Sequence, residues 1–316
     1  MKKLMFAAAA IAAGVAVADV TSANVVGYQN IVTGSDVGRI TTMTFDKIAG
    51  VNRTLGEFTP VRVSGTQKFR NNNYTLTFYN ASGNQRKVME DTEIARLWPD
   101  ALLDSTISNK AVVVAWNPDE SAAGPAGWYL ANDYSNKKYP LKDYVLSDAD
   151  GFRVTVAKAF AEGVYLTCSG EVCPEIKTIR IPAGQNTLIG NPTPADVTLG
   201  SLTPTRVSGK QAFRNNNFTL TFYDTKGNQR KVCDDTEIKR LWPAAQFDAA
   251  ISNKAVVVAF VENDGWYLAN DYSSKNYKLN NYTLKPGDGF KVYAVTGFTG
   301  GLDLHFPTPI KQNVEE

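Results

Sequence analysis

The chain has 316 residues with 33 basic and 31 acidic side chains, a formal charge of +2 that falls to about zero without Lys2 and Lys3, so it lacks the basic field that nucleic-acid binding demands. Its single histidine, His305, excludes HExxH and multi-histidine metal sites. No P-loop, dinucleotide-binding glycine pattern or CxxC pair occurs, which removes the common nucleotide and redox chemistries and points to no cofactor.

Lys2 and Lys3, an apolar Ala-rich run from Leu4 to Val17 and the ending Ala16-Val17-Ala18 form the three regions of a secretory signal peptide over residues 1–18, with cleavage before Asp19. That run is too short to span a bilayer comfortably, and no later segment is longer and apolar. The expected mature protein is exported, to the cell surface, the exterior or the periplasm, without a transmembrane segment. Asn24 to Val32 reads as a strand, Gly34-Ser35-Asp36 as a turn and Ile40 to Phe45 as a second strand.

The stretch Thr59 to Ala115 then returns as Thr203 to Ala259 at an offset of 144, with about three quarters of positions identical, the mark of a duplicated domain. The offset becomes 138 after Ser121 to Ala126, an Ala/Gly/Pro insertion confined to the first copy and therefore expected in an exposed loop. The boundaries are 19–175 for the first copy and 176–316 for the second. Within each copy, Tyr74 to Tyr79 and Phe218 to Tyr223 alternate with period two, placing Tyr74, Leu76 and Phe78 on one side and Thr75, Thr77 and Tyr79 on the other. Ser82-Gly83-Asn84 and Lys226-Gly227-Asn228 mark a hairpin.

Asp91 to Pro99 and Asp235 to Pro243 read as one short helix per copy, capped by Asp or Thr and ended by proline, with Ile94, Leu97 and Trp98 plugging the sheet end. Lys110 to Trp116 is uniformly apolar and reads as a central strand. Gly-Trp-Tyr-Leu at 127 and 265 follows, a further short element lies near Tyr139 and Tyr277, and a closing hairpin combines Phe152 to Val154 with Val164 to Leu166, and Phe290 to Tyr293 with Leu302 to Leu304. Eight or so strands per copy and one short helix predict an all-β protein, two tandem antiparallel β-sandwich or barrel-like domains.

The candidate ligand residues are Arg70, Asn71, Asn72 and Asn73 with Trp128 and Tyr134, and Arg214, Asn215, Asn216 and Asn217 with Trp266 and Tyr272: consecutive amides to read hydroxyls above an aromatic platform. The competing reading makes the asparagines a turn and the aromatics core. Asp133 and Asp271 are oxygen donors in a polar loop, a pattern shared by calcium sites and ordinary turns, and no metal site is assigned. Asp91/Glu93 and Asp235/Glu237 suit helix capping better than a facing acid pair. Cys168 and Cys173 are spaced for a small loop disulfide in an oxidising compartment, and Cys233, at the place of Met89, reads as a buried thiol.

Ser22-Ala23-Asn24-Val25-Val26-Gly27-Tyr28, Pro182-Ala183-Gly184 and Leu284-Lys285-Pro286-Gly287-Asp288-Gly289-Phe290 resemble secreted tandem β-domain proteins of Verrucomicrobia-like and Planctomycetes-like bacteria. The resemblance implies export and an all-β fold and carries no catalytic residue; the first copy departs from it at Ser147-Asp148-Ala149-Asp150. With no catalytic constellation, a non-enzymatic structural or surface-assembly protein fits best, its partners copies of itself or cell-surface components, associating through sheet edges and the N-terminal strand. A secreted glycan-binding module is the alternative, decided by whether Trp128 and Trp266 are exposed. A carbohydrate-active hydrolase comes third, and needs two carboxylates facing across a cleft between the copies.

Overall fold

The computed structural model describes residues 26–34, 37–41, 53–80, 84–119, 124–146, 151–171, 176–224 and 228–308. The expected signal peptide, the continuation of the second strand beyond Thr41, the hairpin tips, Cys173 and the side chain of Cys168 lie outside them, and with them the proposed disulfide.

The first copy contains β1 Val26–Thr33, β2 Val37–Thr41, β3 Pro60–Arg62, β4 Tyr74–Phe78, β5 Val113–Asn117, β6 Gly127–Leu130, β7 Phe152–Val156 and β8 Val164–Glu171. They form a three-stranded sheet, β1-β8-β3, and a five-stranded sheet, β2-β7-β4-β5-β6, antiparallel throughout. The second copy repeats this with β9 Lys177–Ile181, β10 Gln185–Gly190, β11 Val197–Thr198, β12 Thr203–Arg206, β13 Phe218–Phe222, β14 Val257–Val261, β15 Gly265–Leu268, β16 Thr283–Leu284, β17 Gly289–Ala294 and β18 Leu302–Phe306. Its sheets are β9-β18-β12 and β10-β17-β13-β14-β15, with a small β11-β16 ladder beside them. The protein is all-β, and in each copy both sheets contribute to one apolar core, built from residues between Ile31 and Leu166 in the first and between Ile179 and Phe306 in the second.

Most strands lie near where the sequence places them, though the second begins at Val37 and the apolar run forms a strand only over Val113–Asn117; strand partners differ more. The pair read as a closing hairpin belongs to two different sheets, since β7 joins β2 and β4 whereas β8 joins β1 and β3. The connection turns the corner between sheets at Gly163, whose φ of +93° puts its α-carbon against the Thr33 carbonyl, where a side chain would collide. On β4, Tyr74, Leu76 and Phe78 are buried as the alternation requires, but Thr77 is buried too, and all five residues of β13 are. These strands sit third of five, so the neighbours of Thr77, Val113 and Arg153, cover the threonine side as well.

Helix α1, Thr92–Leu97, begins at an Asp91 carboxylate that accepts the Ile94 amide at 2.8 Å, and α3, Thr236–Leu241, repeats this with Asp235 and Ile238. Ile94 is buried and Leu97 and Trp98 pack on the core. Each helix ends just before the proline, at Leu97 and Leu241, as read, but a further short helical element follows it. Pro99 starts α2, Pro99–Leu103, and Pro243 starts a 3-10 turn, because a helix's first turn needs no amide there.

Few sheet edges are open to strand addition. β6 and β15 are lined by the following segments, Leu141 bonding to Trp128 and Leu279 to Trp266, while β3 and β12 are short and carry Pro60 and Pro204. The N-terminal β1 pairs along all eight residues with β8 of its own chain, and β1 and its counterpart β9 stand at the edges of their sheets. Between copies, β2 lies against β10 and β17, and the Gly151 amide donates to the Leu188 carbonyl at 3.2 Å. Tyr79 and its counterpart Tyr223 are near enough that Tyr79, after burial, adds to the upward push on the Tyr223 phenol. β2 and β10, and Tyr79 and Tyr223, are counterparts in the two copies, so part of this contact joins equivalent positions.

Candidate functional site

Each copy holds a buried ionic cluster at its helix start. In the second, the chain returns from the β13 hairpin at Arg230, whose Nη1 donates to Asp235 Oδ2 at 3.1 Å and to the Tyr282 hydroxyl at 2.9 Å while Nη2 donates to the Tyr223 carbonyl. The Tyr282 hydroxyl donates to the same Asp235 oxygen at 2.8 Å. Arg86, Asp91 and Tyr144 reproduce the arrangement in the first copy. Burial, then the Asp235 charge, pushes the Tyr282 phenol well above its ordinary value. Burial pulls Arg230 down, yet Tyr282 and Asp235 more than offset that and hold it charged. A phenol that keeps its proton and a guanidinium that keeps its charge form, with the Asp235 carboxylate between them, a clamp joining hairpin, helix cap and the 282 segment.

Beside this clamp in the second copy runs an open groove of about 560 Å³. It is lined by Asp224, Asn228 and Gln229 of the hairpin, by Arg230, Lys231, Asp234, Thr236 and Glu237 on the way into α3, and by Thr283, Lys285 and Asp288. Glu237 is fixed by Arg240 at 2.6 Å and by the Thr283 amide at 3.0 Å, as Glu93 is by Arg96 and the Val145 amide. Burial alone would raise Glu237, but the Arg240 and Thr283 hydrogen bonds outweigh it and hold the carboxyl below its ordinary 4.5; Glu93 is lowered the same way. Because the folded value lies below the unfolded one, these carboxylates contribute stability that is complete above pH 4.5 and lost as pH falls through the folded value. Urea melts from pH 6 to pH 2.5 are expected to show this loss, and Glu93→Gln with Glu237→Gln to flatten it; an unchanged slope would contradict the assignment.

The Asn-rich candidates are turns. Asn73 Oδ1 accepts the Arg70 amide at 2.7 Å while its Nδ2 donates to the Lys68 carbonyl, and Asn217 does the same with Arg214 and Ala212. Asn71 and Asn215 tie this turn to Ala131 and Ala269. Arg70, Asn72, Arg214 and Asn216 are exposed. The aromatic platform is absent: Trp128 and Trp266 are wholly buried, 0% exposed, with Nε1 donating to the Phe58 and Leu202 carbonyls. In Gly-Trp-Tyr-Leu the strand register turns tryptophan into the sandwich, where no sugar can stack. Tyr134 and Tyr272 are half-buried and spend their hydroxyls on the Trp116 and Phe213 carbonyls.

Asp133 and Asp271 hold their loops instead of offering open oxygens, accepting the amides of Lys138 and Tyr139 and of Asn276 and Tyr277. No group of three or more metal-ligating acids, histidines or cysteines occurs among the described residues. His305 faces outward on β18 and bonds through both ring nitrogens to the Thr178 and Thr205 hydroxyls at 2.8 Å. Cys233 is half-buried and its counterpart Met89 is exposed, because the preceding valines take the inward position of this 3-10 turn. Sequence reasoning missed the groove, whose walls come from segments some sixty residues apart.

No family model matches the chain, and no curated protein matches it. Among solved structures, the major capsid protein P2 from bacteriophage PM2 aligns with 85% of this chain and 97% of that chain at 9% identity, with a TM-score of 0.14, too low to indicate a shared fold. No helix among the described residues is long and apolar enough to cross a membrane.

Proposed function

We propose that this is an exported, non-enzymatic structural or surface-assembly protein that self-associates through its β-domains. The observation that carries the reading is a difference between the copies. On the outer face of the first three-stranded sheet, Val32, Tyr165 and Val61 stand side by side across β1, β8 and β3, with Val32 47%, Val61 39% and nearby Val63 43% exposed. The same row in the second copy is Arg180, Asp303 and Thr205, closed by an Arg180–Asp303 ion pair. One row of this face is thus apolar where the duplicate row is solvated, between the hydrogen-bonded Asn30 and Thr167 on one side and Val63, whose counterpart Val207 is also exposed, on the other; such a row favours contact with another surface.

A second apolar feature supports it. Leu103 and its counterpart Phe247 are each 85% exposed, although Asp100, Leu102, Ser105 and Thr106 around Leu103 have become Ala244, Gln246, Ala249 and Ala250 around Phe247. A bulky apolar tip survives in both copies while its neighbours drift. Sedimentation of the mature protein from micromolar to millimolar concentration is expected to show concentration-dependent association, weakened at least about tenfold by Val61→Asp with Tyr165→Lys. A strict monomer throughout that range would overturn the reading.

A further inference from the structure

We infer that the groove beside Arg230 is a binding site for a neutral oligosaccharide. It lies within the roughly 300–1,000 Å³ range of small-molecule sites, and all eleven residues lining it are polar or charged, so each brings a hydrogen-bonding group to the groove alongside the carbon surface of its side chain. Three cationic and four acidic side chains nearly cancel, leaving little net field to select a polyanion or a polycation. The site is also prepared. Arg230 and Glu237 are locked by the contacts already described, and Asp224 and Asp288 accept the amides of Asn228 and Lys285. Against this fixed frame, the side chains of Lys231, Asp234, Thr236 and Lys285 have no hydrogen-bond or ion-pair partner among the described residues, and Arg230 keeps Nε–H and one Nη2–H unspent. Unspent donors and acceptors side by side match hydroxyl groups, each of which both donates and accepts.

The inference is specific to the second copy, where Thr283 and Lys285 replace Val145 and Ser147 of the first. Those replacements also supply the test. Val145 offers its amide to Glu93 just as Thr283 does to Glu237, so Thr283→Val with Lys285→Ser returns the second copy to residues the first already folds with. Saturation-transfer NMR and calorimetry on the full-length mature protein would use tetrasaccharides of glucose, mannose, galactose, xylose and N-acetylglucosamine, with tetragalacturonate as the charged comparison. Binding to at least one neutral member is expected, reduced about tenfold by the double substitution through the loss of two hydrogen-bonding side chains. Binding of none of them, binding that the double substitution leaves unchanged, or binding of tetragalacturonate alone would overturn the assignment. Self-association measured on the same variant is expected to be unchanged, since the groove and the apolar row share no residue.

Discussion

Asp235→Ala is expected to destabilise the second copy by about 3–5 kcal/mol, the cost of breaking a buried pair and leaving one charge uncompensated. The Asp235 side chain is fully buried and carries three hydrogen bonds. Oδ1 caps α3, a contact typically worth about 1 kcal/mol, and Oδ2 accepts from both Arg230 and Tyr282. Its removal leaves a largely buried guanidinium, a buried phenol hydroxyl and an uncapped helix start, and alanine fills none of the space. Tyr282→Phe removes one hydroxyl, the donor to Asp235 and an acceptor for Arg230, and is expected to cost about 1–3 kcal/mol, less than the loss of the carboxylate. Asp91→Ala should act on the first copy as Asp235→Ala does on the second. Urea unfolding followed by circular dichroism and tryptophan fluorescence provides the measurement. A loss below about 1 kcal/mol for Asp235→Ala would reduce the clamp to the worth of an exposed ion pair.

Trp266→Ala and Trp128→Ala are expected to have effects of the same size, about 3–5 kcal/mol each, from the cavity left by a fully buried indole. Trp128 packs against Tyr74 and Trp116 at ring separations of 6.0 and 5.4 Å, and Trp266 against Phe218 and Phe260 at 5.8 and 5.2 Å. Each indole N–H is committed to a backbone carbonyl on the segment leading into β3 or β12, so truncation also leaves that carbonyl without its donor. The exposed Asn72 and Asn216 give the contrast: alanine there should change stability by no more than about 0.5 kcal/mol. Thermal and urea melts of the four variants distinguish the two roles. A tryptophan variant as stable as the parent would mean that the indole is not part of the core, and would reopen the platform role the fold denies it.

These two expectations also explain why a glycan site sought at Trp128 and Trp266 misleads. Asparagines beside an aromatic ring suit a sugar site and a turn over a core ring equally, and only the register that buries Trp128 and Trp266 selects the turn. The polar surface that the fold does assemble contains no aromatic ring, and its groups are common ones, Lys, Asp, Thr and Asn, which carry no signal when read one by one.

The sequence by itself determined the elements. The 144-residue repeat required two copies of one design, the alternation from Tyr74 to Phe78 marked the strand that became the middle of a sheet, and Asp91 and Asp235 marked the helix starts whose amides they cap. These are signals over a few residues, because backbone dihedral preference and side-chain alternation act at that range. What only the tertiary structure decided is the company each element keeps. The apolar row joins Val32, Val61 and Tyr165, the groove joins Asp224 to Asp288, and the presumed closing hairpin parts into two sheets. Each depends on the register of strands paired across tens to more than a hundred residues, and since a one-residue slip exchanges the faces of a strand, no local pattern says which side chains will stand together.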